Sequence, residues 1–298
     1  MKKICAVLIL ILALILAACG QNTGNTGYGQ DGETLIVTSF YPMYLFASNI
    51  ANGIEDVKVV NMTEPQTGCL HDYQLVPADL KTLEKADIFV INGAGLESFL
   101  DKVLSQLPDL TIIEAAKGIE LLKDENGEDN PHVWVSISGA IQEVKNITEG
   151  LIAADPANEA SYRKNSEEYI GKLETLKQRM HDTLKDIKTR DIVTFHEAFP
   201  YFAQEFGLNI VSVIEREPGS EPSASELAET IRIINDKKTK VLFTEPQYSP
   251  KAAESIAAQT GARIYVLDPV VTGPKDAELD SYEKTMLENL NVLAEALK

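Results

Sequence analysis

The chain has 298 residues, 44% of them hydrophobic and 24% charged, and carries a formal net charge of -18 at pH 7. Such acidity excludes nucleic acid as a partner, because nucleic-acid binding begins with Lys and Arg neutralising phosphates. For cations it supplies only weak, unselective attraction.

The chain opens Met1-Lys2-Lys3, runs apolar from Ile4 to Leu16 and continues Ala17-Ala18-Cys19, the order of a secretory signal. The run falls short of the roughly 20 residues a membrane-spanning helix needs. Leu16-Ala17-Ala18-Cys19 resembles the bacterial lipobox, in which the cysteine becomes the lipid-modified N-terminus. Residues 1–18 are therefore expected to be a signal peptide and 19–33 a lipidated, flexible tether, since Gln21 to Gly32 is too poor in apolar residues to order itself. On this reading the mature chain lies outside the cytoplasm, anchored to the cell membrane by lipid on Cys19. Of the three cysteines, Cys5 leaves with the signal and Cys19 takes the lipid, so Cys69 has no disulfide partner and stability rests on the core.

Beyond the tether, short β-branched or apolar runs alternate with helical patterns, which predicts an α/β architecture with mainly parallel sheets. Runs at 35–38, 57–60, 88–91 and 111–113 are echoed by runs at 192–195, 210–213, 241–244 and 264–267. Two such sets predict two similar lobes, 34–152 and 190–298, with a cleft between them. In the connecting 153–189, apolar residues at Tyr169, Leu173, Leu176, Met180, Leu184 and Ile187 recur by threes and fours. They predict one long amphipathic helix between Asn158 and Lys188, about 45 Å long at 1.5 Å per residue. The stripe suits a strut within a monomer better than a coiled-coil dimer, being too short for sustained heptads. Ser223-Ala224-Ser225-Glu226 has capping-box spacing and predicts a helix start.

Three of the four histidines fall in loops. His71 lies in a Gly- and Pro-bearing stretch after the second β run, His132 in Asn130-Pro131-His132-Val133-Trp134, and His196 just after a β run. Glu245 and Asp268 also directly follow β runs, where open α/β sheets bind their ligands. Three imidazoles with one carboxylate can fill a tetrahedral shell around a borderline divalent ion. Spacing alone leaves this open against histidines that serve only as structural residues. His181 falls one residue beyond the stripe position Met180 and is expected to be exposed and no ligand. Cys69 makes a Cys-x-His pair with His71, but packing is its default role. Gly93-Ala94-Gly95 lacks the third glycine and the lysine of a phosphate loop and is read as a tight turn.

Taken in order, several segments make the chain resemble the metal-binding receptor lipoproteins of bacterial zinc and manganese ABC importers. They are His71-Asp72-Tyr73-Gln74, Pro77-Ala78-Asp79, Asn92-Gly93-Ala94-Gly95-Leu96-Glu97, Pro131-His132-Val133-Trp134, His196-Glu197-Ala198-Phe199, Glu221-Pro222-Ser223 and Leu267-Asp268-Pro269. The resemblance implies two α/β lobes joined by a rigid helix, with the metal in the inter-lobe cleft on His71, His132, His196 and Asp268. It also implies that Zn2+, or alternatively Mn2+, is the transported ligand, and that an ABC permease with its ATPase is the partner. The chain departs from dedicated zinc members in having no His-rich loop: Asp124 to Asp129 is acidic instead. It departs from manganese members in having His196 where they carry a carboxylate, and imidazole in place of oxygen favours zinc.

A closed four-ligand shell suits capture and delivery rather than catalysis. The competing expectation is a secreted zinc hydrolase with Asp268 or Glu245 as general base, for which neither His-Glu-x-x-His nor Gly-x-Ser-x-Gly is present. A role in cell adhesion accompanies the resemblance, but no residue here argues for it.

Overall fold

The computed structural model describes residues 32–63, 70, 73–124, 127–214 and 222–298. The expected signal peptide, nearly all of the tether, Cys19, Cys69 and His71 lie outside the described residues.

Among the described residues, eight parallel strands form two four-stranded sheets. The first contains β1 (Thr34–Thr38), β2 (Val57–Asn61), β3 (Ile88–Ile91) and β4 (Thr111–Glu114) in the order β2-β1-β3-β4. The second repeats that order as β6-β5-β7-β8, from β5 (Asp191–Thr194), β6 (Asn209–Val213), β7 (Val241–Thr244) and β8 (Arg263–Val266). Each strand overlaps one of the expected runs. The central strands β3 and β7 are buried along their whole length, so they read as unbroken apolar runs without alternation.

The helices are α1 (Tyr41–Ile50), α2 (Pro77–Leu83), α3 (Asp101–Leu104), α4 (Ile137–Ala154), α5 (Glu159–Leu184), α6 (Pro200–Phe206), α7 (Ala224–Lys237), α8 (Lys251–Thr260) and α9 (Ser281–Ala296). The long connecting helix is α5. Its 26 residues span about 39 Å at 1.5 Å each, shorter than expected because Ile187 falls past its end. The apolar stripe is consumed within the chain: Tyr169 packs on Phe46 of α1, with ring centroids 6.3 Å apart, and Leu173, Leu176, Met180 and Leu184 are buried. The Ser223 capping box at the start of α7 is present, with Glu226 N–H donating to Ser223 Oγ and Ser223 N–H to Glu226 Oε2.

One buried apolar cluster runs through both halves, from Ile36, Val90 and Leu151 to Phe202, Phe243 and Leu290. The C-terminal helix α9 returns to the first half, where Tyr282 meets Phe46 edge-on at 5.3 Å. Polar pins reinforce this seam. Tyr201 on α6 donates its hydroxyl to the Asn130 carbonyl at 2.7 Å and accepts from Leu122 N–H at 2.9 Å, while Ser138 at the start of α4 donates to Glu205 of α6. These contacts set the two rows of strand ends against one another.

Candidate metal centre

In each sheet the chain first steps to one side and then to the other, so a crevice opens at the carboxyl ends of the two middle strands. In the first sheet that crevice is filled by protein. Ser39, after β1, donates to Glu97 Oε1 at 2.8 Å; Asn92 and Gly93, after β3, give their N–H groups to the same carboxylate at 2.8 and 3.0 Å. Gly93, Ala94 and Gly95 all have positive φ (80°, 53° and 82°), the tight turn expected, and Glu97 takes the N–H groups that an anion would otherwise use. Burial pushes the Glu97 carboxyl up to about 7 against those hydrogen bonds.

In the second sheet the equivalent crevice holds His196, after β5, and Glu245, after β7. His196 Nδ1 lies 2.6 Å from Glu245 Oε1, and Gln247 Nε2 donates to Glu245 Oε2 at 2.7 Å. Glu245, on sequence grounds a possible ligand or general base, thus has both oxygens engaged. Opposite the carboxylate, the Nδ1 of His196 carries the proton, so the lone pair of the neutral ring is on Nε2.

His132 reaches the same place from the first half, in the connection between β4 and α4. Asn92 Nδ2 donates to the Pro131 carbonyl at 3.1 Å and steadies this segment. Asn130 Nδ2 donates to the Glu197 carbonyl at 2.9 Å, which turns the amide so that Oδ1 faces His132. That oxygen accepts from the backbone N–H of His132 at 3.0 Å and lies 3.0 Å from Nδ1. An amide oxygen can only accept, so His132 also keeps its proton on Nδ1 and its lone pair on Nε2. The rings of His132 and His196 meet edge-on, with centroids 5.2 Å apart, and both residues are buried.

Asp268 sits on the turn that follows β8. Its backbone is bracketed by Asn289, which accepts from Asp268 N–H at 2.9 Å and donates to Asp268 O at 2.8 Å, and its Oδ1 accepts from Val270 N–H at 2.8 Å. Burial, and then the charges of Glu245 and Glu288, raise the Asp268 carboxyl to about 6. At the mouth, burial and Asp124 raise Glu197, and the nearby His196 acts in the opposite sense.

The structure therefore brings His132 and His196 together from opposite halves. Among the described residues no group of three His, Cys, Asp or Glu side chains is gathered closely enough to hold a metal ion, and His71 lies outside them. His181 has a side chain 45% exposed, as its position beside the stripe predicts, and lies 4.0 Å from Glu205. Sequence reasoning missed Asn130 as the group orienting His132. An asparagine two residues before a histidine, across a proline, is the signal that could have found it.

Comparison with known proteins identifies the family and the fold. The family model described as ZnuA, zinc-uptake complex component A, periplasmic, matches residues 36–296. The chain is 33% identical over 306 residues to the high-affinity zinc uptake system protein ZnuA of Bacillus subtilis (strain 168), covering 95% of this chain and 94% of that protein. It is 30% identical to the zinc-binding lipoprotein AdcA of Streptococcus pneumoniae (strain ATCC BAA-255 / R6), over 98% of this chain but only 60% of the relative's length. Among solved structures, the solute-binding protein FpvC of Pseudomonas aeruginosa in complex with Mn2+ superposes with a TM-score of 0.79 at 29% identity, over 89% of this chain and 98% of that one.

Proposed function

Because the chain belongs to the zinc-uptake complex component A family, we propose that it is the extracytoplasmic receptor of an ABC importer, capturing a divalent transition metal and passing it to the permease and its ATPase. The ion is held by His71, His132, His196 and Asp268, and zinc is the preferred cargo. Mn2+ is the alternative, as in the FpvC complex. The chain acts as a monomer of two lobes, 34–152 and 190–298, joined through 153–189 and tethered to the membrane by lipid on Cys19.

One observation carries this reading. Two buried imidazoles from opposite halves converge with their Nδ1 atoms tied to acceptors, which leaves Nε2 as the coordinating atom on each. That is how proteins prepare histidine for a metal: the outer hydrogen bond fixes the tautomer and ring orientation and raises basicity. Two imidazoles, with His71 as a third, weight the site toward zinc over manganese, which prefers oxygen-rich, higher-coordinate surroundings. The seam of shared core and buried hydrogen bonds suits a receptor whose halves move little on binding.

Calorimetric titration of metal-free variants tests the assignment. His71→Ala, His132→Ala and His196→Ala should each weaken zinc binding by more than the about 10–100-fold typical of partners one step behind the ligands, and His181→Ala should bind as the parent does. Equal affinity in all four would remove the assignment. Elemental analysis of protein purified without added metal, with competing zinc and manganese, identifies the cargo.

A further inference from the structure

We propose that Trp134 is a positioning residue for the site, latching the Asp268-bearing turn of the second half to the His132-bearing segment of the first. The proposal rests on the assignment of His132 and Asp268 as ligands.

The turn after β8 is strained. Val270 has φ +59°, left-handed backbone that a β-branched side chain rarely adopts, and it is buried. Such a conformation persists only where its surroundings over-determine it. Here the strain has a local use, because it aims Val270 N–H at Asp268 Oδ1. Asn289 holds the backbone of Asp268 from within the second half. Among the described residues, the hydrogen bond reaching this turn from the first half is that of Trp134, whose indole N–H donates to the Pro269 carbonyl at 2.8 Å.

Trp134 is itself closely held. It is fully buried, meets Phe40 edge-on at 4.8 Å, and its own carbonyl accepts from the Tyr282 hydroxyl at 2.7 Å. It stands two residues from His132, with ring centroids 5.2 Å apart. Sliding the Asp268 turn away from the histidines would leave a buried indole N–H and a buried carbonyl unpaired, so the latch ties the carboxylate to the position of the imidazole.

A double-mutant cycle tests the latch, with zinc affinity read by competition against a chromophoric chelator. Trp134→Phe, which keeps an aromatic ring and loses the N–H, should bind zinc about tenfold more weakly. Asp268→Asn should bind more weakly still, and adding Trp134→Phe to it should cost nothing further, because the latch acts through Asp268. The visible absorption of bound Co2+ in Trp134→Phe should move toward that of Asp268→Asn. If Trp134→Phe fails to fold, benzothienylalanine at position 134 preserves the shape, replaces the N–H by sulfur, and should give the same loss. Parental affinity in Trp134→Phe with a weakened Asp268→Asn would overturn the latch alone, as would fully multiplicative losses in the double variant. Parental affinity in Asp268→Asn would overturn the ligand assignment and the latch with it.

Discussion

Asp268→Asn is expected to stabilise the metal-free protein while weakening its hold on metal. Burial foremost, with the charges of Glu245 and Glu288, raises the Asp268 carboxyl from 3.8 to about 6, and the Val270 N–H only partly offsets this. Because the folded value exceeds the unfolded one, the folded protein binds more protons between about pH 4 and about pH 6. Stability is therefore lost as pH rises through that window and stays lost at neutral pH. At about 1.36 kcal/mol per pH unit the gap amounts to about 3 kcal/mol. The amide's own imperfectly paired NH2 group reduces the gain to about 1–3 kcal/mol. Asparagine keeps the shape of the side chain and an oxygen for Val270 N–H, but no charge. With about 2–4 °C per kcal/mol for chains of this size, metal-free Asp268→Asn should melt about 2–12 °C above the parent at neutral pH, a difference that shrinks toward about pH 4. Differential scanning calorimetry of chelator-treated protein at both pH values measures it. Saturating zinc should reverse the order, since a ligand stabilises the folded state in proportion to its affinity. A metal-free variant that melts at or below the parent at neutral pH would show that no penalty is stored at Asp268.

Two further substitutions probe the framework. Glu245→Gln preserves volume and an acceptor for His196 Nδ1 but removes the charge. Zinc affinity should fall about 10–100-fold while the fold persists, and Asp268 should titrate below about 6 once the neighbouring charge is gone; parental affinity would mean that the charge of Glu245 does not tune His196. Gly139→Ala would drive a Cβ into the Val133 carbonyl and set it 2.7 Å from Ser136 Oγ, the group that caps α4. It should lower stability by about 1–3 kcal/mol and disturb the adjoining His132 segment, and an unchanged melting temperature would disprove the crowding.

Local chemistry makes much of this protein legible in its sequence. Short β-branched or apolar runs mark buried strands, a 3.6-residue period marks the buried face of a helix, and Ser-x-x-Glu spacing marks a helix start, so the two sets of β runs, the stripe from Tyr169 to Leu184 and the Ser223 cap are all read directly. His196, Glu245 and Asp268 stand out because they directly follow such runs, and His132 because it is a histidine in a loop beside a proline. What the pattern does not encode is which distant groups face one another. The pairing of His196 with Glu245 across two adjacent strand ends, the turning of Asn130 toward His132 by the Glu197 carbonyl, and the reach of Trp134 to Pro269 join residues 49, 67 and 135 positions apart. The strained φ of Val270 was equally hidden, because nothing in a valine signals a left-handed backbone. Residue type decided which side chains could bind a metal. Only packing decided which ring nitrogen each histidine presents and how firmly the carboxylate is held, since both follow from hydrogen bonds between segments that meet only in the folded chain.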